Sequence, residues 1–164
     1  MALQSLTDRV WDIVEKIGVG MLTTRFDEGL RARPVEARPD REGNAIYIVT
    51  DVRGLKDDEI AAAPEVCFIV VDAKDNAYLS ITARASVTRD TAKATEIWKR
   101  TDDVWWPGGP SDPNVRVLRL DPQRAELWDG PASSAVAVFE FAKARLTGHK
   151  PNLGETRKTT VDMS

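Results

Sequence analysis

Seven short runs rich in β-branched and aromatic residues, each closed by turn-forming residues, limit this chain to a mainly antiparallel β architecture. They fall at residues 19–24 (VGMLTT), 30–39 (LRARPVEARP), 45–50 (AIYIVT), 66–71 (VCFIVV), 77–89, 115–120 (VRVLRL) and 125–128 (AELW). The connections are short. Asp27, Glu28 and Gly29 make a hairpin of the first two runs, and Gly43–Asn44 turns the chain into the third. Asp121–Pro122 reads as a tight turn between the last two runs, and VCFIVV reads as a strand buried on both faces. Helical spacing appears between the strands. Val10, Ile13, Val14 and Ile17 recur at turns of a helix capped by Ser5 or Thr7 and ended by Gly18, with Trp11 in the core. Further helices are expected over residues 55–63, 91–100 and 132–146, with the tail after Thr147 fraying or docking on a partner. With 164 residues there is room for one domain with a real core, and the tally fits a six- to seven-stranded antiparallel barrel with peripheral helices.

Composition removes most chemistries. A net charge of -3 argues against a general nucleic-acid binder. One cysteine, Cys67, and one histidine, His149, leave no disulfide, no cysteine metal cage and no Ser-His-Asp machinery. Cys67 is expected to be a small core hydrophobe and His149 a surface residue of the tail. No run is apolar enough to span a membrane and the charged start carries no signal peptide, so a cytoplasmic protein is expected. Neither a dinucleotide-binding nor a P-loop glycine pattern is present. Any redox chemistry would belong to a cofactor.

Residues 30–56 (LRARPVEARPDREGNAIYIVTDVRGLK) are where a ligand is expected. Alternation puts Arg31, Arg33 and Val35 on one face of their strand, with Ala32, Pro34 and Glu36 on the other. Pro34 has no N–H to give a sheet ladder, which implies an edge or an opening there. The next strand ends in Thr50 and Asp51, and the helix after it opens near Lys56. A cation from one strand, a hydroxyl from its neighbour and a second cation at the helix start would converge on one phosphate.

The order of these elements resembles the pyridoxamine 5'-phosphate oxidase-like, FMN-binding split-barrel family, in its general stress protein 26 branch. The residues that carry the resemblance are MLTT (21–24), RARP (31–34), YIVTD (47–51) followed by Lys56, PEVCFIVVD (64–72) and YLSITARA (78–85). Further on stand WWPGG-x-x-DP (105–113), AELWDG (125–130) and LTGHKPNLGE (146–155). The resemblance implies a split barrel, a homodimer and FMN held at the subunit interface. By position, Arg33, Thr50 and Lys56 would grip the phosphate. The backbone of Pro34, Val35, Val49 and Asp51 would run beside the flavin, with Trp106 and Trp128 reaching it from the other subunit. Gly54 and Leu55 stand where the family has a serine and an arginine, so the cradle loses a hydroxyl and a cation that Arg31 or Arg53 would replace. The substrate-binding arginine–histidine segment of the true oxidase is also missing. The expectation is an FMN-dependent oxidoreductase of unspecified substrate. The alternatives are a non-catalytic FMN-binding stress protein and a deazaflavin (F420) or haem binder on the same barrel.

Overall fold

A computed structural model describes residues 5–27, 29–53, 56–130, 134–149 and 157–164. Helix α1 (Leu6–Ile17) begins where the Ser5 hydroxyl accepts the Asp8 N–H and ends at Gly18, whose φ of 71° suits glycine. Its apolar stripe, Val10, Trp11, Ile13 and Val14, is buried as the spacing predicts. Eight strands follow in one antiparallel sheet: β1 (Val19–Phe26), β2 (Gly29–Glu36), β3 (Arg38–Asp40), β4 (Ala45–Asp51), β5 (Glu65–Asp72), β6 (Ala77–Thr88), β7 (Val115–Asp129) and β8 (Arg157–Asp162). Helix α2 (Lys56–Ala62) joins β4 to β5, and α3 (Thr91–Ile97) with two 3-10 turns (Arg100–Val104 and Gly109–Ser111) joins β6 to β7. Helix α4 (Ser134–Thr147) precedes β8.

The strand order is β2-β1-β5-β6-β7-β4-β3, with β8 paired to the far half of β7. The sheet curls until β2, at one edge, stands near β4 at the other without hydrogen-bonding to it. β3 pairs only with Ala45–Tyr47 of β4, so beyond Tyr47 the strand faces β2 across an open seam. This is an antiparallel split barrel with peripheral helices, the expected fold class. Its interior is filled by Leu22, Phe68, Val70, Leu79, Ile81, Leu118, Leu120 and Leu127 around the α1 stripe. β4 is buried on both faces: Ile46 and Ile48 join that interior, while Tyr47 and Val49 pack outward with Ala94, Val115, Val117 and Trp106.

Gly20 on β1 is packed against backbone and ring with no room for a side chain. A Cβ there would stand 2.5 Å from the Ile69 carbonyl and 2.6 Å from the Phe68 ring. Gly20→Ala should therefore destabilise the fold by about 1–3 kcal/mol, as overpacking does. Urea denaturation followed by far-UV circular dichroism checks this, and an unchanged midpoint would refute it.

Four expectations are corrected. VCFIVV is not buried on both faces: Val66, Phe68 and Val70 point inward, whereas Ile69 and Val71 are exposed and Cys67 is half-buried beside Ser80. Asp121–Pro122 makes no turn. β7 runs through it, with a bulge that pairs Ala83 with Pro122 and Thr82 with Arg124, so the missing proline N–H falls at a register shift. The helix expected to reach Arg100 stops at Ile97; Trp98 and Lys99 are extended, and a separate 3-10 turn begins at Arg100. The tail does not fray throughout. β8 pairs with β7, Val161 and Met163 are buried, and the Asn44 side chain donates to the Met163 carbonyl at 2.6 Å. No helix among the described residues is long and apolar enough to cross a membrane.

Candidate functional site

The seam between β2 and β4 holds a cavity of about 260 Å³. Pro34, Val35 and Glu36 line one wall, Ile48, Val49, Thr50 and Asp51 the other, and Arg38, Asp102, Trp105 and Trp106 close the end. The local sequence explains the opening. Pro34 cannot donate to a ladder, and β3 turns away after three residues, so neither edge zips onto the other.

The end wall is a short loop fastened at two points. Asp102 is buried, and both its oxygens accept from Arg38 Nη2, at 2.7 and 2.9 Å. The same carboxylate accepts the Lys99 backbone N–H, and the Asp102 carbonyl accepts the N–H groups of Trp105 and Trp106. The second fastening is Trp106, whose indole N–H donates to Asp51 at 3.0 Å and whose ring stands 6.0 Å from that of Trp98. Asp51 also accepts the Arg53 side chain and backbone N–H. Hydrogen bonding from Arg53, reinforced by the Trp106 indole, holds the Asp51 carboxyl well below the usual carboxylate range. Glu36 is likewise lowered, chiefly by the Lys99 ammonium. Each carboxylate in the wall is thus tied to a cation.

Of the expected site residues, Pro34, Val35, Val49, Thr50, Asp51 and Trp106 meet in this cavity. Trp106 does so within one chain, against the same chain's Asp51, where the resemblance placed it across an interface. Arg33 precedes Pro34 and points to the opposite face of β2. There its Nη2 donates to the buried Thr24 hydroxyl at 2.5 Å and to Glu59 of α2 at 3.2 Å, while Nη1 is buried with no partner among the described residues. Burial, opposed by Glu59, lowers the Arg33 pKa from its ordinary value. Lys56 opens α2, but its side chain, like Gly54 and Leu55 entirely, lies outside the described residues. Neither expected substitute stands free: Arg31 is bound to Glu59 and Arg53 to Asp51. Trp128 is not in the cavity wall. It sits on β7 opposite Tyr78, with the Lys158 ammonium 5.4 Å from its ring.

Sequence reading passed over Glu59, Arg38 and Asp102. Glu59 carried a usable signal, since it follows Lys56 by three residues and so shares its helix face. Arg38 and Asp102 are separated by 64 residues and carried none.

Comparison with known proteins agrees with the geometry. Residues 6–152 match the family model described as pyridoxamine 5'-phosphate oxidase like. General stress protein 26 of Bacillus subtilis (strain 168) is 23% identical over 141 residues, 84% of this chain and 99% of that protein. A crystal structure from Jannaschia sp. CCS1, assigned to general stress protein 26, superposes with a TM-score of 0.75 at 29% identity, covering 96% of this chain and 98% of its own. The general stress FMN/FAD binding protein of Xanthomonas citri has the same fold, with a TM-score of 0.70 at 24% identity, covering 78% of this chain and 91% of its own. With this fold, this seam and a family match over nearly its full length, the chain belongs to the pyridoxamine 5'-phosphate oxidase-like family.

Proposed function

We propose that this chain is a general stress protein of that family that binds FMN along the β2–β4 seam and works as a flavin-dependent oxidoreductase in a homodimer. The observation that carries the reading is Arg33 Nη1, a buried cationic donor with no partner among the described residues, on the strand that forms one wall of the cavity. Buried donors are almost always paired, so an orphan on a guanidinium calls for an anion from outside. A phosphate monoester fits it. Thr50, buried in the far wall of the cavity, and Lys56, which opens α2, would be the remaining phosphate partners. Val35, Val49 and Trp106 supply apolar and aromatic wall for a planar ring, and Trp128 would have to come from a second copy.

The bound flavin would supply the electron or hydride transfer. The chain's own part is to bind, orient and exclude water. Asp51 and Glu36 are held ionised by Arg53 and Lys99, so neither is poised to give up a proton. That observation also favours the second reading, a flavin-binding stress protein without turnover.

Two features support the homodimer. A cavity of about 260 Å³ is smaller than the roughly 300–1,000 Å³ usual for a small-molecule site, so one chain would enclose only part of FMN. The outer face of β1, β5 and β6 also carries Met21, Ile69, Val71 and Tyr78, between 37% and 46% exposed and adjacent by register. A contiguous apolar patch of this kind marks an interface.

Titration of the purified protein with FMN, recording the absorption spectrum and flavin fluorescence, tests the reading. Saturable quenching and a native mass of twice 18.2 kDa are expected. A protein that takes up no FMN, or that is monomeric with FMN bound, would overturn the corresponding half. NAD(P)H-driven bleaching of the bound flavin separates the oxidoreductase from the carrier.

A further inference from the structure

The Arg33 guanidinium is not placed by its own strand. Arginine has four rotatable side-chain torsions, and immobilising it costs conformational entropy. Here that cost is met before any ligand arrives. Glu59, one turn along α2 from Lys56, reaches across to β1 and β2 with a side chain only 9% exposed. One of its oxygens accepts from Arg31 Nη2 at 3.0 Å; the other accepts from Arg33 Nη2 at 3.2 Å and from the Thr24 hydroxyl at 3.1 Å. Thr24 in turn accepts from Arg33 Nη2, so a buried hydroxyl and a largely buried carboxylate hold the same nitrogen.

Two features separate this cluster from an ordinary ion pair. Arg31 and Arg33 lie two apart on one strand face, so their charges repel unless an anion lies between them. Glu59 is that anion, and the three charges leave one net positive. The cluster is also incomplete. With Nη2 doubly engaged, Nη1 remains buried and unsatisfied among the described residues. That unpaired donor costs free energy which an anion bound beside it would recover. We propose that Glu59, seconded by Thr24, is a positioning residue for phosphate recognition: it fixes Nη2 so that Nη1 is held ready for the phosphate of the ligand. This rests on the reading that Arg33 takes the FMN phosphate.

The test compares FMN with riboflavin, which shares the ring and lacks the phosphate. Wild-type protein should prefer FMN, and absence of that preference would count against the reading of the site rather than the role of Glu59. Given the preference, Glu59→Ala should cut the FMN-over-riboflavin ratio at least tenfold, with riboflavin affinity little changed. Glu59→Gln, which keeps an acceptor for Arg33, should restore most of it. Thr24→Val, nearly isosteric, should lower the ratio several-fold and decides the matter if Glu59→Ala fails to fold. An unchanged ratio in Glu59→Ala or Thr24→Val would overturn the proposal. So would tighter FMN binding in Glu59→Ala, which would make Glu59 a competitor of the phosphate.

Discussion

Asp102→Ala is expected to destabilise the fold by about 3–5 kcal/mol, the usual result of removing one member of a buried ion pair. Asp102 and Arg38 have side chains only 7% and 8% exposed, so little water can replace the lost partner. Arg38 already has one buried nitrogen, Nε, without a partner among the described residues, and the substitution would strip its main acceptor as well. The Lys99 N–H loses its cap at the same stroke. In a chain of this size each kcal/mol lowers Tm by roughly 2–4 °C. Chemical denaturation monitored by far-UV circular dichroism would measure the loss. The double variant Arg38→Met with Asp102→Leu should lose clearly less than Asp102→Ala alone, since it removes both charges together. A loss below 1 kcal/mol in Asp102→Ala would show that the pair is effectively solvated. Because Asp102 also fastens the loop bearing Trp105 and Trp106, the variant should bind FMN more weakly even where it remains folded.

What could and could not be read in advance follows from the range of the interactions. The α1 stripe was legible because its residues recur at a fixed period, and β4 because an unbroken β-branched and aromatic run follows a turn; both patterns are local. The cavity wall was legible for a similar reason: Pro34 forbids a ladder, while Thr50 and Asp51 end the neighbouring strand. The outward face of β5 was misread because Ile69 and Val71 are as apolar as Val66 and Val70, and composition alone cannot tell a covered face from an exposed one. The strand at Arg157–Asp162 was hidden because only Val161 is apolar within it; its partner is the free edge of β7, a property of the assembled sheet. Pro122 looked like a turn because its compensation, the bulge against Thr82 and Ala83, lies 40 residues upstream. The Arg38–Asp102 pair was invisible on the same ground. Glu59 differs: its spacing of three from Lys56 was readable, but not that its side chain would turn to Thr24 and Arg33 on the neighbouring strands.

Arg33→Ala should weaken FMN binding by roughly 10- to 100-fold while leaving riboflavin affinity nearly unchanged, since one hydrogen bond to a charged group is worth about 1.5–3 kcal/mol. The difference between the two ligands isolates the phosphate, because ring, ribityl chain and cavity wall are common to both. The substitution has a structural cost too. Glu59 would keep Arg31 but lose Arg33, leaving a largely buried carboxylate short of one donor. Stability should fall for that reason, and affinities must be compared under conditions where the variant is folded. Arg33→Lys sharpens the result. An ammonium keeps the charge but has no fork, so it cannot hold Thr24 and Glu59 with one nitrogen while offering a second to the phosphate. Lysine should therefore recover only part of the loss, and less of it than Coulomb attraction alone would return. Full recovery would mean that charge, not the presented Nη1, is what the phosphate meets. Equal binding of FMN by wild type and Arg33→Ala would remove Arg33 from the site and leave Lys56 to carry the phosphate.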